Sequence, residues 1–412
     1  MEVIHRIIVG LDVHLAVVVA CLRVQRGKKV TRERRQFGTT TPELQKLLDW
    51  LVESSCPLAI IESSGVYWKP VFNVLEGKVE VCLVNAYHAK AVAGYKTDGL
   101  DAERLAELGA HGLLRSSFIP PPAIRELREL TRYRKSLVED RVSEINRAAK
   151  VLEAANIKLG TVVSDIMGAS GRAMMRALIA GERDPSALAA LAKGTLRGKT
   201  AELIPALTGR FMAGHGFLLA RILDHIEYMD EQIEAISKEV ARLCEPFREA
   251  IDLLMTIPGV GEETAEAIVA EIGLDMSRFP SAHHLTSWAG VCPGNHETAG
   301  KRRSGRTRKG NRWLRGALAQ AAWAASRSKG SEYQALFRRL AFARGKGKKK
   351  ARVAVSHAML IAVWHILKDM TPYRELTPTQ RTGSDPEKVK QTLLKRLEKL
   401  GFTVTVEQKR AA

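Results

Sequence analysis

From Val3 to Val84 the apolar positions come in short runs and alternations separated by turn residues, whereas beyond Pro122 they recur every three or four residues. Residues 3–24 are β-rich and lead through the Arg26-Gly27-Lys28 turn to a more polar stretch near Val30 to Phe37, which predicts two hairpins in succession. Thr41-Pro42-Glu43 supplies an N-cap, a helix-start proline and an acid for the helix dipole, and opens an amphipathic helix to about Ser54. A strand at 57–62, a helix near 67–76, a strand from Val79 to Val84, a short helix and a helix beginning about Asp98 follow.

Phe118-Ile119-Pro120-Pro121-Pro122 interrupts this pattern, because prolines in series sustain neither a helix nor a central strand. Between Ala123 and about Ile157, Leu127, Leu130, Leu137, Val142 and Ile145 recur at helical spacing among Arg, Lys and Glu, which predicts a long solvated or coiled-coil helix. A second such segment, Gly216 to Phe247, is expected to pack on it as an antiparallel hairpin. Residues 158–215, rich in Ala and Gly, suggest only small helical pieces. Leu253 to Gly261 followed by an Ala-rich helix, Glu262 to Ile272, has the form of a helix-hairpin-helix, whose Gly259 and Gly261 would offer backbone N–H groups to a phosphate. Then come a basic run from Gly300 to Arg312, a helix from Trp313 to Ser326, a second basic run from Arg344 to Arg352, an apolar helix from Val353 to Leu367 and an amphipathic helix at about 386–400. The expected domains are 1–118, 119–250 with an insertion at about 158–215, 251–375, and a tail at 376–412.

Lys and Arg number 64 against 45 Asp and Glu, a net charge of +19, which favours a polyanionic partner: nucleic acid first, an anionic membrane surface second. No run reaches the roughly 20 apolar residues of a membrane span, and the N-terminus lacks the regions of a signal peptide. A cytoplasmic protein, nucleoid-associated when bound to DNA, is expected. The five cysteines are scattered without a Cys-x-x-Cys pair, and read as reduced thiols rather than a zinc site or disulfide frame.

The element order β-β-β-α-β-α-β-α is that of the ribonuclease-H-like (RuvC-like) α/β fold, which makes four carboxylates the candidate chemistry. Asp12 lies within the run Ile7 to Val19, Glu62 closes the run Leu58 to Ile61, and Asp98 and Asp101 sit three apart on one helix face. All are expected at one edge of the sheet. Clustered carboxylate oxygens suit Mg²⁺ and phosphodiester chemistry. Taken singly, Asp12 is equally a hydrogen-bonded core carboxylate and Asp98 a helix cap, but burying isolated carboxylates is costly enough to disfavour four structural ones. His14, His283 and His284 read as structural. The Gly and Ser content of 301–312 leaves little helical preference, and favours a phosphate-contacting loop over a solvated helix face.

The segments GLDVH, IESSG, KTDGLDAERLAEL, IPGVGEETAEAIVAEIG, FPSAHHLTSWAGVCPG and AGKRRSGRTRKGNRWLR, taken in order, resemble the bridge-RNA-guided insertion-sequence transposases. Those proteins join a DEDD RuvC-like domain through a coiled coil to a mainly α, serine-recombinase-like transposase domain. The resemblance implies that Asp12, Glu62, Asp98 and Asp101 bind Mg²⁺. It also implies that a hydroxyl after the Trp288-Ala289-Gly290 segment attacks DNA, forming a covalent link to a 5′ end. At that position this chain carries Thr298 where the family carries serine, and Ser304 is the nearest other hydroxyl considered. Lys301, Arg302, Arg303, Arg306, Arg308, Lys309 and Arg312 would grip phosphates. The implied partners are double-stranded target and donor DNA, a structured guide RNA, and further copies of the chain as dimers and a tetramer. Two alternatives stand beside this: a RuvC-like nuclease hydrolysing branched DNA with the carboxylates alone, and a nucleic-acid-binding protein without catalysis.

Overall fold

The computed structural model describes residues 3–63, 65–85, 101–294, 296–298, 301–345 and 347–375, with scattered positions between 390 and 405. The chain divides into two compact units, Met1–Pro120 and Pro121–Ala412.

In the first unit β1 (Ile7–Val13), β2 (Val17–Arg26) and β3 (Lys29–Gly38) form two successive antiparallel hairpins, the second turning at Gly27 with φ +61°. Helix α1 (Thr41–Glu53) leads to β4 (Leu58–Glu62), α2 (Trp68–Leu75) to β5 (Glu80–Val84), and α3 spans Asp101–Ala110. Thr40, rather than the expected Thr41, occupies the N-cap of α1, and its side chain makes no capping bond. The sheet order is β3-β2-β1-β4-β5, with β4 parallel to β1 and β5 parallel to β4. Strand periodicity splits the core in two. Val9, Leu11 and Val13 pack with Leu44, Leu47 and Leu75 of α1 and α2, while Ile8 and Ile60 on the other face meet Leu105 and Ala106 of α3. The short helix expected before Asp98 lies outside the described residues.

Among its described residues the second unit is helical apart from one small hairpin. Helix α4 (Pro122–Ala154) precedes α5 (Leu159–Val162), α6 (Ala169–Ala180), α7 (Pro185–Ala190), α8 (Thr200–Leu207) and α9 (Ala213–Cys244). Helix α9 runs antiparallel to α4, as the ion pairs Arg141–Asp230 and Glu144–His225 show. The small helices between them form one apolar cluster with the facing ends of α4 and α9, through Leu152, Met174, Met175, Leu203 and Leu223. After α10 (Arg248–Met255), α11 (Glu262–Ile272) and α12 (Ala282–Ala289) come β6 (His296–Thr298) and β7 (Lys301–Ser304). Helices α13 (Arg312–Ala325), α14 (Glu332–Arg338) and α15 (Lys348–Asp369) follow. The expected tail helix at 386–400 falls largely outside the described residues.

Contrary to the reading that no segment is long and apolar enough, α15 passes that test by length and composition, with a mean hydropathy of 1.2 over its most apolar window. Its apolar side chains are nonetheless core. Val355, Met359, Leu360 and Val363 are buried, Ser356 Oγ donates to Leu318 O, and Trp364 Nε1 donates to Phe279 O at 2.9 Å. All five cysteines are free thiols. Burial pushes Cys56 up to about 11, so that thiol stays protonated and packs as a small apolar group.

Candidate active site

Parallel strands β1 and β4 pair Val9 with Ala59, Gly10 with Ile60 and Leu11 with Ile61. Carried one residue further, this register sets Asp12 beside Glu62, at the C-terminal ends of neighbouring central strands. Both share the strand face of Ile8 and Ile60, the face covered by α3. Helix α3 lies unusually close to that face. A Cβ on Gly10 would come 1.9 Å from Ala102 O and 2.7 Å from Ala106 N, and one on Gly109 would meet Ile8 Cδ1 at 2.7 Å. Only a glycine at position 10 lets the helix backbone rest on β1, and the helix begins with Asp101, next to Ala102. The close approach thereby brings the exposed Asp101 to the side of the sheet that carries Asp12 and Glu62.

A lattice of charges ties the same helix to β2 and β3. Glu107 accepts from Arg23 Nε at 2.9 Å and Arg32 Nη2 at 3.0 Å, and Glu103 pairs with Arg32 and Arg34. Burial would raise the Glu107 carboxyl, but the two guanidinium groups outweigh it and hold the group below its ordinary range. Neither Gly10 nor these arginines is among the site residues expected from the sequence. Their signal was present: a glycine inside an apolar strand marks a close backbone approach. His14, expected to be structural, is hydrogen-bonded: its Nε2 lies 2.9 Å from Asp12 Oδ2. Among the described residues no three acidic, histidine or cysteine side chains gather tightly enough to hold a metal, and Asp98 lies outside those residues. Asp12, Glu62 and Asp101 are oxygen donors of the kind a hard divalent cation such as Mg²⁺ takes, but as placed these three do not by themselves close round one.

The second candidate element is in the other unit. Helix α12 ends at Gly290 with φ +74°, and a Cβ on Gly310 would lie 2.4 Å from Ala289 O, so the Trp288-Ala289-Gly290 turn and the end of the basic run touch backbone to backbone. From there the two strands run outward together. Gly294 N donates to Arg306 O at 3.0 Å, Pro293 bridges Thr307, and β6 pairs with β7 as His296 with Ser304, Glu297 with Arg302 and Thr298 with Lys301. The stretch expected as a plain phosphate-contacting loop is therefore half of a two-stranded arm. Thr298 is the last paired residue before the tip, opposite Lys301; Lys301, Arg302 and Arg303 lie on β7, and Arg306, Arg308 and Lys309 are exposed on the way back.

Asn311 roots this arm. Its Oδ1 accepts from Trp313 N and Leu314 N, both at 3.0 Å, and so caps α13, while its Nδ2 donates to Glu271 Oε2. Glu271 is 1% exposed and also takes a bidentate pair from Arg132 Nε and Nη2 at 2.6 and 2.7 Å, fixing α11 and α13 to α4. The guanidinium groups of Arg132 and Arg312 both lie over the Trp313 ring. A buried pair, Arg134 with Glu266 at 2.6 Å, makes a second α4–α11 connection, two residues along α4 and five along α11.

The turn at 256–261 joins α10 to α11, and its two glycines differ. Gly259 has φ +87°, and a Cβ there would meet Ala321 O and Ala325 N at 2.6 Å, so it is the contact of the turn with α13. Gly261, at the N-terminus of α11, is exposed with open space round it, although Glu262 and Glu263 already supply negative charge to that helix end.

Comparison with known proteins matches both units. Residues 9–157 fit the DEDD model of IS110 transposases, described as "Transposase", and residues 251–338 fit the model described as "Transposase IS116/IS110/IS902 family"; together they cover more than half the chain. The pilin gene-inverting protein of Moraxella bovis is 29% identical over 155 residues, 36% of this chain and 48% of that protein. The transposase for insertion sequence element IS1328 of Yersinia enterocolitica is 33% identical over 106 residues, 26% and 31% of the two chains. The IS116 44.8 kDa protein of Streptomyces clavuligerus is 25% identical over 320 residues, 70% and 75%. The chain spans about half the length of the pilin gene-inverting proteins it matches.

Proposed function

We propose, from the premise that this chain belongs to the IS110/IS116/IS902 family of transposases, that it cuts and rejoins DNA strands to move an insertion sequence. The observation that carries the reading is the register that sets Asp12 beside Glu62 on the strand face against which Gly10 admits α3 and Asp101. A relative named for inverting a pilin gene supports strand exchange rather than simple cutting.

In this reading the Thr298 hydroxyl attacks a DNA phosphorus. Its Oγ–P bond forms as the P–O3′ bond breaks; the hydroxyl proton leaves, and the departing 3′ oxygen takes one up as a 3′-OH. Exchange is the reverse: a 3′-OH from another strand attacks the threonine phosphoester and frees the side chain. Asp12, Glu62, Asp98 and Asp101 would hold Mg²⁺, which when bound supplies charge stabilisation at the reacting phosphate. Lys301, opposite Thr298, with Arg302, Arg303, Arg306, Arg308, Lys309 and Arg312, binds the phosphates that flank it, as Gly261 does with its N–H. Target choice comes from base pairing to a guide RNA whose shape the protein reads, consistent with a net charge of +19. The working form is a homo-oligomer, dimers joining into a tetramer on nucleic acid, which the long α4–α9 pair supports.

A labelled target DNA, incubated with protein, guide RNA and Mg²⁺ and then denatured, is expected to show a protein-linked 5′ end. Thr298→Ala should lose that link while keeping DNA and RNA binding, and Thr298→Ser should speed it, since the β-branch stiffens the attacking side chain. Asp12→Asn should abolish cleavage. An adduct that survives Thr298→Ala moves the nucleophile elsewhere, Ser304 first. The threonine itself favours a second reading, hydrolysis of branched DNA by the carboxylates alone, which would release free 5′-phosphate ends without an adduct.

A further inference from the structure

A surface beyond the basic arm has no part in the chemistry above. Between Glu332 and Asp369 the chain has no acidic residue, yet Arg338, Arg339, Arg344, Lys348, Lys349 and Lys350 all stand exposed within it. Elsewhere the basic faces are interleaved with acids: Arg23, Arg32 and Arg34 pair with Glu103 and Glu107, and Arg141 and Arg172 with Asp230. Among the described residues no ion pair involves any of these six. They begin and flank a π-helical turn, Arg339–Ala343, inserted between α14 and the loop that leads to α15. Such a turn rotates the side chains that follow it, and is frequent where a helix serves a function. Here Leu340 and Ala341 are buried, while Phe342 is 63% exposed.

Phe342 does not stand alone. Its ring meets Phe337 edge to face at 6.5 Å, and Phe337 meets Trp323 in the same way at 6.0 Å. Trp323 is 36% exposed, with the Arg327 guanidinium 4.8 Å over its ring. Two exposed aromatic rings, both braced by buried Phe337 and bordered by unneutralised positive charge, form a stacking platform with an electrostatic rim. The platform straddles the end of the matched family segment at residue 338, with Trp323, Arg327 and Phe337 inside it and Phe342 beyond.

We infer that this surface binds single-stranded nucleic acid, stacking unpaired bases on Phe342 and Trp323 and holding the backbone with Arg338, Arg339 and Lys348 to Lys350. A duplex offers the same phosphates but keeps its bases stacked inside, so the aromatic rings select against it. The inference rests on the nucleic-acid reading proposed above, and adds a strand-selective site to it.

The test uses the full-length protein and the fluorescence anisotropy of a labelled oligothymidylate, with a duplex of equal length and anionic phosphatidylserine vesicles alongside. Phe342→Ala should weaken single-strand binding roughly five- to 160-fold, the range for losing one stacked base, and leave duplex binding unchanged. Phe342→Tyr should restore it. Lys348→Ser with Lys350→Ser should flatten the dependence of log K on log salt by about 0.7 for each phosphate no longer held. Because Phe342 is exposed, the thermal transition of Phe342→Ala should match that of the unaltered protein. Wild-type oligothymidylate binding by Phe342→Ala overturns the inference, as does equal loss of single strand and duplex, or a loss confined to the vesicles. DNA joining is read separately. If Asp12→Asn abolishes joining while Phe342→Ala binds normally, the transposase reading stands and this one falls; if nothing is joined but binding depends on Phe342, the reverse holds.

Discussion

Replacing Gly10 by alanine adds one carbon where there is no room for it. The new Cβ would lie 1.9 Å from Ala102 O and 2.7 Å from Ala106 N, both backbone atoms of α3. Ordinary contact needs about 3.5 Å, so the helix must lift by roughly 1.5 Å or β1 must bow. Asp101 adjoins Ala102 and travels with the helix, while Asp12, two residues along β1, stays with the sheet. Overpacking of this kind costs about 1–3 kcal/mol, within the roughly 5–15 kcal/mol that hold a domain folded, so the variant folds. A misplacement near 1 Å in reacting geometry costs on the order of 100-fold in rate. Metal-dependent cleavage of labelled DNA by Gly10→Ala should therefore fall by about two orders of magnitude, with a lower but still cooperative thermal transition. Gly109→Ala, at the other end of α3, meets side-chain carbons of Ile8 and Ile60 rather than backbone, which can shift further than a strand or helix backbone, and should cost less activity. Cleavage at the unaltered rate by Gly10→Ala, or a greater loss from Gly109→Ala, would refute the argument that this close approach sets the carboxylates.

Asn311→Asp keeps the α13 cap but turns a donor into a second carboxylate beside buried Glu271, and should cost about 2 kcal/mol in thermal unfolding and slow DNA joining more than it weakens DNA binding; Asn311→Ser, which keeps the cap without the repulsion, should be milder. Acid should unfold the chain through Glu107 and Asp230. Burial raises each, but Arg23 and Arg32, and Arg141 and Arg172, outweigh it and hold both low, so their stabilisation is complete above the unfolded value near about pH 4 and is lost as pH falls through the folded values. A melting temperature that rises on acidification below that point would contradict this. Gly316→Ala, in the interior of α13 with nothing within 4 Å of its added carbon, should raise stability by roughly 0.5–1 kcal/mol, measurable as a higher melting temperature.

The elements of the first unit are legible because strands and helices there follow their own periodicities, and turn residues such as Gly27 stand at the junctions. The α4–α9 pair is legible from helical spacing, although of Leu127, Leu130, Leu137, Val142 and Ile145 only Leu127 is fully buried and Val142 is half exposed, because the buried seam of α4 also runs through Ile124, Ala148 and Val151. What no local pattern states is which backbone lies against which. The Gly10 contact with α3 crosses more than ninety residues of sequence, and the contact of Gly310 with Ala289 depends on a turn between them. The β6–β7 arm escapes for a different reason. Its basic and hydroxyl residues carry no alternation of apolar and polar positions, and the pairing of the two strands is a matter of backbone register. Likewise the π-helical turn at Arg339–Ala343 changes hydrogen-bond step without any proline or glycine inside it to signal the change.

The antiparallel pairing of α4 with α9 also bears on the order in which the second unit assembles. Its two helices are joined by the small helices of 155–212, whose ends are already stitched by Lys158 N to Ala206 O at 2.7 Å and Arg210 N to Ala155 O at 2.8 Å. Once that stitch exists, each further contact between the long helices encloses only a few residues more than the last, so the entropy of loop closure is met once, at the cap. Beginning instead at the open end would enclose the whole span from α4 to α9 in a single step. The entropically cheapest route runs outward from the cap, through Glu144 and His225 to Arg141 and Asp230, and leaves for last the end where Arg132 meets Glu271 and the root of the Thr298 arm is set.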